Sequence, residues 1–122
     1  MNNNTIRFSC NWNNKLTNKA FTTLRIHNPS KYVVGRVYDI EFNGKPDGQA
    51  IIQDIRVIRI QQLNDFSCYL DTGYSREQTI GILRKMYPKI DLNNTSFDFC
   101  LLVRQPQPTK PQPQQMNFQY ND

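Results

Sequence analysis

The sequence predicts an α+β fold, a small mixed β-barrel with short helices flanking it. Five segments rich in β-branched and aromatic residues alternate with turn signals, and two segments of helical periodicity lie between the fourth and the fifth. The chain is 122 residues long and 38% apolar, which suits one domain with a modest core. A sheet of so few short strands covers a core best when it curls and helices close its open side.

The first third of the chain predicts two strands with a short helix between them. Residues 5–10 and 20–26 are β-branched and aromatic, as strands usually are. Asn11 is a good N-cap residue for a short helix over 12–18. Residues 27–32 form a loop, because Pro29 disfavours a helical backbone at the residue before it.

A hairpin follows, and its second strand is long. Residues 36–42 alternate, with Tyr38, Ile40 and Phe42 on one face. The turn residues of NGKPDG, 43–48, join them to an antiparallel strand over 49–63. The apolar phase of that strand changes from Ile51, Ile55 and Val57 to Ile58 and Ile60. Such a change of phase indicates a β-bulge.

The helical part and the last strand follow the hairpin. A short helix over 63–70 ends near Gly73, and the pair Ser75 and Gln78 is a capping-box pattern for a second helix that Pro88 stops. Residues 96–104 predict the final strand. In it, one face is expected to carry Phe97, Phe99, Leu101 and Val103, and the other Asp98 and Cys100.

The composition changes after Arg104 and divides the chain in two. We expect a folded domain over 1–104 and a disordered tail over 105–122, where four prolines and six glutamines leave too little apolar surface to offset the entropy of ordering. The tail is either passive or a polyproline ligand for a protein partner. The domain itself is expected to be a monomer or a weak dimer.

Composition also excludes several classes of protein. No run of 18 apolar residues occurs, so we expect no membrane span, and MNNNTIRF does not resemble a secretory signal. Three separated cysteines without a CxxC pair fit a reducing compartment. With His27 as the single histidine, no metal site and no cofactor are expected. The expected location is the cytoplasm, or the host cytoplasm if the source is a virus.

The positive charge is concentrated in the first third of the chain. Residues 1–38 hold six basic and no acidic residues, while 39–104 hold eight basic and nine acidic residues. Cations bind phosphate and aromatic faces stack on unpaired bases, so this distribution favours a nucleic-acid site. The predicted site residues are Trp12, Lys15, Lys19, Thr23, Arg25, Lys31 and Arg36. The alternatives are a solvated basic surface, with Trp12 as a core anchor and Arg25 as a loop brace.

Three segments resemble the ASCH domain of the PUA-like superfamily. NKAFTTLR at 18–25 resembles its G-x-K-x-x-E-x-R signature with Arg25 on the arginine, KYVVG at 31–35 supplies the loop glycine, and LDTGYS at 70–75 the acidic turn. Asn18, Ala20 and Thr23 depart from the signature's glycine, lysine and glutamate. The resemblance implies a PUA-like, ASCH-type barrel and an RNA-binding, non-catalytic module.

The same resemblance leaves an enzyme as an alternative. Some ASCH proteins are amidohydrolases that deacylate acetylcytidine with a lysine, a threonine and a glutamate. Thr23 matches the threonine, Lys19 is the nearest lysine, and Asp71 or Glu77 would supply the carboxylate. Because a one-residue shift on a strand turns a side chain to the other face, we expect Lys19 to point away from Thr23 and acetylcytidine not to be turned over. A third alternative is a viral or mobile-element protein-interaction module.

Overall fold

The computed structural model describes residues 4–106, which form an α+β fold around one curled sheet. The strands are β1 (Thr5–Phe8), β2 (Ala20–Ile26), β3 (Val37–Phe42), β4 (Lys45–Arg59) and β5 (Ser96–Arg104). The helices are α1 (Asp65–Thr72), α2 (Arg76–Met86) and three 3₁₀ helices, Trp12–Thr17, Ile60–Gln62 and Leu92–Asn94. The tail predicted over 105–122 lies outside the described residues from position 107 onward.

The five strands form a half-barrel in the order β1-β3-β4-β5-β2. β1 runs parallel to β3, and every other neighbouring pair is antiparallel. The sheet curls so far that its two edge strands approach each other, with the rings of Phe8 in β1 and Phe21 in β2 5.9 Å apart. The predicted α+β class and barrel-like sheet are therefore confirmed at this level.

The hairpin between β3 and β4 turns on two residues. Asn43 and Gly44 have φ angles of 53° and 77°, which are the left-handed values that a two-residue hairpin turn requires. The expected turn over 43–48 was too long, because Lys45 already pairs with Phe42.

The predicted bulge in β4 is present, but it lies earlier in the strand than the sequence indicated. The register against β5 shifts between Ile52 and Asp54, not near Val57 and Ile58. Before the shift Ile52 is fully buried on the concave side of the sheet, and after it Ile58 packs against the helical side. Because of the bulge, side chains of the same strand pack in both hydrophobic cores.

Two hydrophobic cores lie on opposite faces of the half-barrel. The concave core contains the inward side chains of all five strands and Leu16, which anchors the N-terminal 3₁₀ helix. The second core packs α1 and α2 against the far end of the sheet through Cys68, Ile80, Leu83 and Phe97. The helices are therefore held at one edge of the half-barrel, beside β2.

The two faces of β5 group the residues as predicted, because β5 pairs with β2 without a bulge, but the apolar face is not the more buried one. Cys100 and Leu102 are buried in the concave core, whereas Phe99, Leu101 and Val103 are only half-buried. β5 lies between β4 and β2 with core on both faces, so alternation in the sequence does not identify a buried side.

The ends of α1 and α2 follow the predicted signals, whereas Asn11 makes no side-chain capping hydrogen bond at the N-terminal 3₁₀ helix. Ser75 Oγ accepts from the Gln78 amide and Gln78 Oε1 accepts from the Ser75 amide, which completes the capping box of α2. Gly73 ends α1 at φ 82°. The helix expected over 12–18 is a 3₁₀ helix, and Asn11 Oδ1 accepts from the Leu16 amide at 2.8 Å. Within residues 4–106, neither helix has the length and hydropathy to span a bilayer.

Candidate functional site

A cleft opens where the two edges of the half-barrel meet the helices. It is lined by the end of β1, the N-terminal 3₁₀ helix, the middle of β2, the C-terminal turn of α1 and one face of α2. Its cavity volume is about 80 Å³, several times the 10–15 Å³ or so that one water molecule needs. It therefore has room for a small chemical group with part of its solvent shell.

A buried ion pair forms the floor of this cleft. Lys15 Nζ lies 2.8 Å from Asp71 Oδ1, and both side chains are less than one-tenth exposed. Thr22 Oγ1 donates a second hydrogen bond to the same carboxylate oxygen at 2.8 Å. The position of Lys15 is fixed because Leu16, the next residue along the 3₁₀ helix, is buried in the concave core.

Burial changes the proton affinity of Lys15. Desolvation lowers the pKa of Lys15 below its ordinary 10.5, while the charge of Asp71 and its hydrogen bond act in the opposite direction. The nearby charge of Arg25 lowers the pKa further. Lys15 is thus an ammonium that gives up a proton more readily than a surface lysine, and buried titratable groups of this kind concentrate at functional sites.

Arg25 is the cleft cation that is available to a ligand. Its Nε donates to Thr23 Oγ1 at 2.9 Å, and its guanidinium carbon lies 4.6 Å from the centroid of the Phe8 ring. Within residues 4–106 it forms no ion pair, unlike Lys15 with Asp71 and Arg7 with Glu41. Stacking on Phe8 fixes the guanidinium plane, and the NH₂ groups keep donors for an anion or a carbonyl.

Apolar side chains form the wall opposite this polar floor. α2 presents Ile82, Leu83 and Met86, of which Met86 is 53% exposed, and β2 adds Leu24. At the mouth, the half-buried Trp12 contacts Tyr74 edge-to-face, with the ring centroids 5.8 Å apart. An apolar wall facing a few convergent polar groups is the usual composition of a small-ligand pocket.

The structure brings together some of the predicted site residues and separates the rest. Trp12, Lys15, Thr23, Arg25 and Asp71 all line the cleft. Lys19, Lys31, Arg36 and Glu77 do not.

The four predicted residues that do not line the cleft lie in other parts of the structure. Lys19 is exposed just before β2, and Glu77 is exposed in the first turn of α2. Lys31 lies over the Tyr32 ring, and Arg36 donates to the backbone carbonyls of Ser30 and Lys31. Lys31 and Arg36 therefore belong to the loop after β2 rather than to the cleft.

Sequence reasoning missed the contribution of α2. It placed Lys15 in the binding site but assigned the lysine of the amidohydrolase alternative to Lys19. The spacing of Thr79, Ile82 and Met86 places them on one helix face, which is the signal that indicates a wall. The lysine beside Thr23 in the cleft is Lys15, not Lys19, because it enters from the 3₁₀ helix rather than along the strand.

The described residues contain no group of three His, Cys, Asp or Glu side chains placed to hold a metal ion. No protein family, curated protein or solved structure compared with the chain matches it.

Proposed function

We propose that this chain is a non-catalytic nucleic-acid-binding module that binds an unpaired nucleotide of RNA at the cleft, with its phosphate or base edge against Arg25. The observation that carries the proposal is Arg25, a planar cation fixed over Phe8 beside an apolar wall. A guanidinium in that position pairs with a phosphate or a base edge, while the apolar wall accepts the face of a base.

Two other cations of the cleft are already paired with carboxylates, which leaves Arg25 as the cation that binds the ligand. Lys15 is neutralised by Asp71 at 2.8 Å, and Arg7 is paired with Glu41 at 3.1 Å. Among residues 4–106, the ligand therefore meets one unpaired cation of the cleft, Arg25, and a polar floor of hydroxyl and ion-pair groups. The outlying Lys19, Lys31 and Arg36 contribute long-range attraction that salt screens.

The fold is a second observation that supports RNA binding. A curled five-stranded sheet with a cleft between its edges and two helices is compatible with the PUA-like, ASCH-type architecture that the signature at 18–25 resembles. Proteins of that superfamily bind RNA in the corresponding cleft. The position of Arg25 in the cleft supports carrying this role over to the present chain.

The test is a binding titration by fluorescence anisotropy against single-stranded and hairpin RNA at several salt concentrations. Affinity is expected to fall as salt rises, because each neutralised phosphate releases counterions. Arg25→Gln is expected to weaken binding at every salt concentration, and the matched surface change Arg84→Gln is expected to leave it unchanged. Equal losses in both variants, or no binding at low salt, would overturn the proposal.

A second candidate, amide hydrolysis, is favoured by one specific observation. Lys15, Thr23 and Asp71 are buried together at the cleft, and they are the lysine, threonine and carboxylate types of an acetylcytidine amidohydrolase. Thr23 Oγ1 accepts from Arg25, so its own proton is not committed to that bond. A deprotonated Lys15 would take a proton from water or from the Thr23 hydroxyl, and the activated oxygen would add to the amide carbonyl. The carbonyl–nitrogen bond would then break as the Lys15 ammonium returns its proton to the departing nitrogen of cytidine. Attack by water releases acetate directly, whereas attack by Thr23 leaves an acetyl-threonine that water hydrolyses to acetate.

Incubation with acetylcytidine separates the two candidates. The binding proposal expects no cytidine and acetate to form. Hydrolysis would instead require turnover that is lost in Lys15→Gln and in Thr23→Val but retained in the matched control Lys19→Gln. Thr23→Val keeps the side-chain shape, and circular dichroism shows whether each variant is folded.

A further inference from the structure

The mouth of the cleft carries an aromatic pair that no core contains. Trp12 is the single tryptophan of the chain, and it is half-buried between the cleft and Tyr74. Tyr74 is 41% exposed at the start of α2. The 3₁₀ helix is anchored instead by Leu16, which is buried in the concave core, so Trp12 is not required as its anchor.

The geometry of the pair fits a stacking surface. The planes of the two rings are 76° apart with their centroids at 5.8 Å. Such an edge-to-face contact orients the indole while using at most one of its two faces. Trp12 also lines the cleft in which Arg25 and Thr23 lie, so a ligand bound there lies close to the half-buried indole.

We propose that Trp12, oriented by Tyr74, stacks on the nucleobase adjacent to the one held in the cleft, and that the partner is therefore a single strand. This inference rests on the proposed function and specifies its ligand. The bases of a duplex are stacked on both faces and paired along their edges, so they offer no free face to Trp12. Stacking on an aromatic side chain accepts every base, so the site binds with little sequence preference.

The chain carries its own probe for this contact. Because Trp12 is the single tryptophan, its fluorescence reports a base placed on the indole. Titration with an oligouridine single strand is expected to quench the emission, and the same concentrations of a blunt RNA duplex are expected to leave it unchanged. Tyr74→Phe retains the ring contact and should retain the quenching, whereas Tyr74→Ala should reduce it.

Affinity is measured separately by anisotropy of a labelled single strand. Trp12→Ala is expected to weaken binding about 10-fold, as the loss of one base–aromatic stack does, and Trp12→Phe by less. The matched control is Phe66→Ala, which removes an aromatic side chain that is 76% exposed on α1 and does not line the cleft. Phe66→Ala should leave the affinity unchanged.

The failure of this inference is distinguishable from the failure of the proposed function. If Arg25→Gln weakens RNA binding while Trp12→Ala does not, the stacking site is wrong and the proposed function stands. If the duplex binds as tightly as the single strand, both are overturned, because both require an unpaired base. If no RNA binds the unmodified chain at low salt, the proposed function fails, and this inference fails with it.

Discussion

Lys15 Nζ and Asp71 Oδ1 meet at 2.8 Å across 56 residues of sequence, and both side chains are buried. The pair ties the N-terminal 3₁₀ helix to α1 and forms the floor of the cleft. Ion pairs of this kind are costly to desolvate, so their value lies in the arrangement that they impose rather than in net stability.

Breaking one half of this pair is expected to destabilise the fold strongly. Lys15→Met leaves the Asp71 carboxylate buried without its cation, and such a loss costs about 3–5 kcal/mol in the free energy of unfolding. The double variant Lys15→Met, Asp71→Leu should cost much less than the sum of the two single changes, which urea denaturation measures. Additive costs would show that the two groups do not interact.

Two glycines are expected to respond to alanine in opposite directions. Gly44 has φ +77°, so an added side chain strains the β3–β4 turn although no atom lies within 4 Å of the new Cβ, and we expect a loss of about 1 kcal/mol. Gly81 lies inside α2 with equally open space, and Gly81→Ala should stabilise by about 0.5–1 kcal/mol. Thermal unfolding of the two variants checks both signs. A gain in Gly44→Ala would contradict the left-handed turn, and a loss in Gly81→Ala would contradict the open space in α2.

The three cysteines are expected to react very differently with a thiol reagent. Cys10 is exposed at the cleft, whereas Cys68 and Cys100 are buried. Burial raises the pKa of the Cys68 thiol, and burial together with the charge of Asp98 raises the pKa of Cys100 to about 12, so neither forms the reactive thiolate near neutral pH. Native protein should take up one equivalent of iodoacetamide, and denatured protein three. Rapid labelling of a second cysteine in the native protein would contradict the burial.

The raised pKa of Cys100 also predicts a loss of stability at alkaline pH. The unfolded thiol ionises near 9.0, while the folded thiol keeps its proton to about pH 12. Between these values the folded state holds more protons, so stability falls as pH rises, by up to about 1.4 kcal/mol per pH unit.

Cys100→Ala removes this loss, so its stability should approach that of the unmodified chain between pH 8 and pH 10.5. Urea denaturation at the two pH values measures the difference. Lys15 titrates in both proteins and cancels from the comparison. A constant difference between them would show that the folded thiol ionises normally.

Local signals made most of the elements predictable. The sequence Asn43-Gly44 predicted the hairpin, and the Ser75 and Gln78 pair predicted the start of α2, because turn and cap chemistry acts within a few residues. The bulge in β4 was also predictable from a change of phase. Its position was not, because the exposed Val57 was counted as a core residue.

Features that depend on distant parts of the chain could not be predicted in the same way. Asp98 in β5 is 1% exposed, and His27 and the Asn28 amide bind its two oxygens at 2.7 and 2.9 Å. These partners lie 70 and 71 residues away, so no local pattern indicates the pairing. The lysine of the amidohydrolase alternative was assigned to Lys19, which lies just before β2, is exposed and does not line the cleft. Lys15 reaches the cleft from another element, and only the packing of Leu16 places it there.

Amide chemical-shift mapping on the ¹⁵N-labelled chain, titrated with a short single-stranded RNA, shows whether the cleft is the binding site for nucleic acid. We expect shifts concentrated at Cys10, Trp12, Thr23, Arg25 and Thr72, with Lys31 and Arg36 little changed. Shifts centred on the loop of Lys31 and Arg36, or shifts spread evenly over the basic surface, would contradict this expectation.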